Sequence, residues 1–200
     1  MNTDPHVLAA RIGASLRRDI GNPMFRPLVN LLAAGRPVAV EDLIQATGIC
    51  AEDVRQDLAG LKDIEYNRAG KIVGQGITLR PTRHRFEVDG RQLYLWCALD
   101  TLLFSIILGR PARGSSPCRA TGSPVEVTVE PTRLTRVEPA SAVLSIVTPE
   151  SPASIRAAFC ENVHYFVSDG AAGDWLSGHP NAELLSVADA FAVSRLIFAE

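Results

Sequence analysis

The sequence predicts an α+β fold: an N-terminal helical, winged-helix-like part over residues 1–80, packed on a core of antiparallel strands and helices over residues 81–200. Three patterns carry that expectation. Leu8, Ile12, Leu16 and Ile20 recur every fourth position, the stripe of an amphipathic helix. Residues 38–79 read as helix, Gly48 turn, second helix from about Ala51, and a hairpin around Arg68-Ala69-Gly70. After a segment rich in Gly, Ser and Pro, the pieces "VEVTVE", "RLTRVE" and "AVLSIV" have the β-branched content and the spacing of a small antiparallel sheet.

The elements follow in order. "GNPMF" ends the first helix, and the helix–turn–helix with its hairpin comes next. Such a unit normally offers its second helix to the DNA major groove. Here that helix exposes Glu52, Asp53 and Asp57 against Arg55, so a phosphate surface repels it and nucleic acid is not the expected partner. "HRFEVDGRQLYLW" suggests a short strand and an Asp89-Gly90 turn leading into an apolar helix over Leu95–Leu108, closed by Gly109. "RPARGSSPCRATGSP" reads as a long loop. "SPASIRAAFCENVHYFVS" joins a helical start, capped by Ser151 or Ser154, to a β-prone aromatic run, and "DWLSGHPNAELLSVADAFAVSRLIF" reads as the final helix.

Composition narrows the class of function. The 200 residues hold 20 Lys plus Arg against 22 Asp plus Glu, a formal charge of -2, so no overall field recruits nucleic acid or anionic lipid. The N-terminus carries Asp4, Arg11, Arg17, Arg18 and Asp19 in place of a secretory apolar segment. The longest apolar run contains Asp100 and falls short of the roughly 18 residues of a membrane span. A cytoplasmic, reduced protein with no membrane partner is therefore expected, its thiols free for chemistry. Cys50, Cys97, Cys118 and Cys160 stand 21 or more positions apart, without the short Cys pairs of structural zinc sites. G-x-x-x-x-G-K-[ST], H-E-x-x-H and G-x-S-x-G are also absent.

Cys97 and Asp100 stand three residues apart in the apolar run. On a helix they share a face, and burial raises both pKa values, so the pair can exchange one proton. In the competing reading Asp100 caps a helix beginning at Thr101 and Cys97 is a small buried hydrophobe. Spacing alone leaves both open. Cys160 fits the buried end of a helix, His164 a solvated strand face, and Cys50 a helix start; Cys118 is either reactive or packed under the sheet.

Together "LWCALDTLLF", "GSSPCRATGSPVEVTVEP", "SIRAAFCENVHYFVS", "GDWLSGHP" and "FRPLVNLLAAGRPV" resemble the organomercurial (alkylmercury) lyases of bacterial mercury resistance, in order and over nearly the whole chain. The resemblance implies that Cys97 and Cys160 hold mercury and that Asp100, beside them at the metal, moves a proton between thiol and carbon. It implies an organomercurial substrate, no cofactor, external thiols for turnover, and cellular thiols or a mercuric reductase as acceptors of Hg(II). It gives Cys118 a structural role. Two departures stand out: relatives continue beyond the position of Glu200, so a short last helix is expected, and relatives can carry a further cysteine where this chain has Glu161, which bears on how Hg(II) is passed on. Two rivals use the same residues: a thiol-based mercury-binding or sensing protein, which has no need of Asp100, and a structural module whose thiols merely pack.

Overall fold

The computed structural model describes residues 4–147 and 155–198. Its first helix, α1 (Pro5–Ile20), starts where Asp4 accepts a hydrogen bond from the His6 N–H at 2.8 Å, with Pro5 in the first turn, and it buries Leu8 and Ile12. Next come α2 (Phe25–Leu32), α3 (Val40–Thr47) and α4 (Ala51–Gly60). Gly48 ends α3 in the left-handed region at φ 72°, as the helix–turn–helix reading requires. The hairpin of β1 (Glu65–Tyr66) and β2 (Ile72–Gln75) is the wing. Cys50, exposed, is the residue that caps α4.

The wing does not stand apart from the rest. Together with β3 (Ile77–Thr78), β4 (His84–Val88), β5 (Arg91–Leu95), β6 (Ala112–Pro117), β7 (Pro124–Glu130) and β8 (Arg133–Glu138) it forms one antiparallel sheet of order β1-β2-β3-β5-β4-β6-β7-β8. Asp89 and Gly90, both at positive φ, make the tight turn between β4 and β5. The apolar helix α5 (Asp100–Leu108) lies against β4, β6 and β7, closed by Gly109 at φ 67°. A second sheet, β10-β9-β11, pairs β9 (Val143–Ile146) with β10 (Tyr165–Phe166) and β11 (Glu183–Ser186). Short α6 (Ile155–Ala158) precedes β10; α7 (Asp169–Ser177) and α8 (Val187–Ile197) flank β11, and α8 packs on α1 and α5.

Four expectations are corrected. Leu95–Leu108 is not one helix: Leu95 ends β5, residues 96–99 turn, and helix begins only at Asp100, because the β5 pairing with β3 and β4 claims the backbone through Leu95. The Gly/Ser/Pro segment is not one long loop, since its first half forms β6, in the interior of the large sheet, and only residues 118–123 turn toward β7. Its small residues answer to packing: a Cβ at Gly114 would stand 2.5 Å from the Thr101 Cβ on α5. The three strand-like pieces divide, with β9 in the second sheet. The final helix is two helices separated by β11, with breaks at Gly178 and Pro180 and with Ser168 and Ser186 as N-caps. The Ser151 or Ser154 cap lies outside the described residues.

Gly114 gives the fold its test. Gly114→Ala should lower stability by about 2 kcal/mol through overpacking against Thr101 and Val127. The measurement is the urea unfolding midpoint, and an unchanged midpoint would refute the close approach of α5 to β6.

Candidate functional site

Three segments meet beneath the wing. β5 ends at Leu95, and the Trp96 N–H bonds the Gly76 carbonyl at 3.1 Å, so the chain is still held to the β3 edge when it turns. Cys97 then enters the core with no exposed surface. One turn later the Asp100 carboxylate reaches back and accepts from the Cys97 backbone N–H at 2.9 Å. The i,i+3 approach of thiol and carboxylate is therefore a turn leading into the first residue of α5, not two positions on one helical face. The helix starts at Asp100 itself, with Leu99 at the N-cap and no side-chain cap bond, so Asp100 does not cap a helix beginning at Thr101; its carboxylate instead closes the turn onto the Cys97 N–H and stands beside the thiol.

Cys160 arrives from the other end of the chain, in a single 3-10 turn (Cys160–Asn162) after α6. Ser145 of β9 fixes that turn: its hydroxyl donates to the Asn162 carbonyl at 3.2 Å and accepts from the His164 N–H at 3.1 Å. The two sulfurs and a carboxylate oxygen of Asp100 lie within 4.8 Å of one another, all three residues buried. Among the described residues this is the only group of three or more Cys, His, Asp or Glu side chains with ligand atoms so close. Two thiolates form a soft donor set, suited to soft metals.

Burial dominates the electrostatics. Loss of solvent pushes the Asp100 carboxyl up to about 7, against the opposing hydrogen bonds from Cys97 and the Trp96 backbone. Burial raises the Cys97 thiol well above its ordinary value, and its hydrogen bond to Cys160 and the Asp100 charge add to the rise. For Cys160 the Cys97 hydrogen bond lowers the pKa, but burial and the Asp100 charge leave it raised overall. Cys160 is thus the thiol to which the site offers a donor.

One face of the site is an apolar cavity of about 60 Å³. Trp96, Leu103, Phe104, Ile107 and Phe159 line it, and Asp100 and Cys160 open onto it. Gly76, at φ 72°, lets Phe104 close the wall, since a Cβ there would meet the ring at 2.5 Å.

Sequence reasoning missed the frame that holds the two halves of the site together. Glu65 of the wing, 8% exposed, accepts from the Thr78 hydroxyl at 2.6 Å and the Trp96 indole N–H at 3.1 Å, and it pairs with Arg156 of α6. The Arg156 guanidinium also lies over the Trp96 ring, 5.2 Å from its centroid. Nothing in the sequence sets Glu65 apart from the other acidic residues. Arg156, four positions before Cys160, had only that proximity to mark it.

Other sequence candidates lie elsewhere. Cys118 packs with Val143, Phe166 and Ala172 in a separate small cluster. Burial raises its pKa, but hydrogen bonds from Thr121 and nearby backbone N–H groups outweigh it and leave the thiol lowered. His164 is half-buried, edge-on to Trp175 at 5.6 Å, rather than on a solvated strand face. Burial, aided by Arg119 and Arg83, lowers it to about 4. On the second helix of the helix–turn–helix, Glu52, Asp53 and Arg55 are exposed and Asp57 is half-buried, which leaves its outer face with no basic excess.

The family model for alkylmercury lyase matches residues 77–199, and that for the helix-turn-helix domain of alkylmercury lyase matches residues 7–76. The alkylmercury lyase of Streptomyces lividans is 58% identical over 86% of this chain and 80% of its own length. That of Staphylococcus epidermidis is 54% identical over the same shares, and that of Pseudomonas putida 45% over 87% and 82%. A crystal structure of the mercury-bound form of MerB2 is 28% identical, with a TM-score of 0.74 over 98% of each chain. On these matches, spanning both the helical part and the segments that carry the buried cysteines, the chain belongs to the alkylmercury lyase family.

Proposed function

We propose that this chain cleaves the carbon–mercury bond of organomercury compounds by protonolysis, with Cys97 and Cys160 binding the metal and Asp100 moving the proton. The observation that carries the reading is the buried triad: two thiols and a carboxyl within 4.8 Å, opening on an apolar cavity. The cavity accepts the organic group and excludes water. The Cys160 sulfur attacks mercury first, displacing its original counter-ligand and releasing its own proton to solvent. Asp100 takes the Cys97 proton, and the Cys97 sulfur becomes the second ligand. Electron density from two thiolates flows toward the mercury-bound carbon. Asp100 returns the proton to that carbon as the bond breaks, a hydrocarbon leaves, and Hg(II) stays between two sulfurs.

A carboxyl with pKa about 7 suits both roles, since it is neither locked as anion nor locked as acid at neutral pH. No bound cofactor enters this scheme. External thiols take up Hg(II) and restore the cysteines, and cellular thiols or a mercuric reductase are the acceptors in a cytoplasmic setting. No helix among the described residues is long and apolar enough to cross a membrane. The packing of Cys118 in its own cluster supports a structural role for it. The mercury-binding or sensing alternative leaves Asp100 without a task.

Benzene release from phenylmercury with excess thiol tests the reading. The parent should turn over, Cys97→Ala and Cys160→Ala should fall to background, and Asp100→Asn should lose on the order of 10²–10⁴-fold while circular dichroism stays unchanged. A parent that binds mercury and releases no benzene would sink the lyase reading in favour of the sensor.

Stability offers an independent check on Asp100. Its folded pKa, about 7, lies above the ordinary aspartate value of 3.8, so the unfolded state gives up this proton first. The stability it permits is complete below pH 3.8 and is lost as pH rises to about 7. Asp100→Asn, which keeps the acceptor for the Cys97 N–H, should therefore be more stable than the parent at pH 8, by on the order of 3–4 kcal/mol, and the gap should close toward pH 4. A pH-independent difference in urea midpoints would rule out the raised carboxyl.

A further inference from the structure

Cys160 borders a second opening. Trp96 and Cys160 form the wall shared by the apolar cavity and a polar groove of about 530 Å³ on the opposite side. The groove carries three guanidinium groups, Arg83, Arg119 and Arg156, against a single carboxylate, Glu161. Arg156 is held by Glu65, whereas among the described residues Arg83 and Arg119 are exposed and make no ion pair. The histidines of the groove add no positive charge at neutral pH, since burial first and nearby arginines second lower both His84 and His164 to about 4. A groove of this size takes a small molecule, and its charge selects an anion.

From these observations we propose that the groove is the docking site of the Hg(II) acceptor, and that the acceptor is a small thiol bearing carboxylates, seated on Arg83 and Arg119 with its sulfur at Cys160. The proposal rests on the reading of Cys97 and Cys160 as mercury ligands and adds the route by which the metal leaves. The hydrocarbon side and the thiol side of the site are then separate: the organic group occupies the apolar cavity while the acceptor approaches the same sulfur from the basic groove. In the exchange, each acceptor sulfur bonds to Hg(II) as a cysteine sulfur departs, and the acceptor's thiol proton passes to that cysteine. Two acceptor thiols thus remove one Hg(II) and return both cysteines protonated, with no change of oxidation state. Carboxylates matter because they raise the local concentration of acceptor where its thiol is needed.

The test starts from full-length protein loaded with Hg(II) and measures extraction of the metal by mercaptosuccinate, 2-mercaptoethanol and cysteamine at equal thiolate concentration. Mercaptosuccinate should be the fastest in the parent and the most slowed by added salt. Arg83→Gln combined with Arg119→Gln should slow mercaptosuccinate by roughly tenfold and leave 2-mercaptoethanol within about twofold. Arg83→Glu with Arg119→Glu should shift the preference toward cysteamine. Equal slowing of all three thiols, or none, overturns the groove. Benzene release by the same variants in a single turnover keeps the two claims apart: normal extraction without benzene strikes the lyase reading alone, and normal benzene release with charge-blind extraction strikes the groove alone. A protein that cannot be loaded with Hg(II) overturns both.

Discussion

The site depends on one hydrogen bond, from the Cys97 backbone N–H to the Asp100 carboxylate at 2.9 Å. It closes the turn between β5 and α5, and so decides at which residue the sheet hands the chain to the helix. The same bond brings a carboxyl and a thiol together without solvent. A carboxylate in so dry a place is costly unless it is protonated or well bonded, and this one is partly each. The backbone donors hold its pKa below what burial alone would give, and burial holds it far above that of an ordinary aspartate.

Around that turn the molecule is built to bring distant chain segments to one point. Glu65 lies in the wing, Trp96 after β5 and Arg156 in α6, and their bonds tie the helical part to the segment that carries Cys160. The wing is thus part of the site's frame, and its strands belong to the same sheet as β4–β8. A helix–turn–helix whose outer face shows Glu52 and Asp53, and whose hairpin buttresses a buried site, has taken on a supporting task.

Much of this was legible in the sequence because it is local. Leu8 and Ile12 mark α1 by period, Gly48 and Gly109 end helices through their left-handed conformation, and Asp89-Gly90 makes a hairpin turn for the same reason. What misled was tertiary. Gly114 and its serine neighbours resemble loop residues, yet their smallness serves the approach of α5. The apolar run from Leu95 hides its break because strand and helix are both buried there, and burial erases the periodicity that would separate them. Family motifs and one short spacing single out Cys97, Asp100 and Cys160, which the fold brings together. They do not single out Glu65, because its partners lie 13, 31 and 91 positions away.

The central claim is that burial keeps the Asp100 carboxyl available as an acid at neutral pH. Infrared difference spectra of the parent against Asp100→Asn, followed from pH 4 to pH 9, measure that protonation directly through the carbonyl stretch of the neutral carboxyl. A band that disappears with a midpoint near 7 is the expected result. A midpoint near 4, with Asp100 fully ionised at neutral pH, would leave the carbon without its proton donor and would contradict the account.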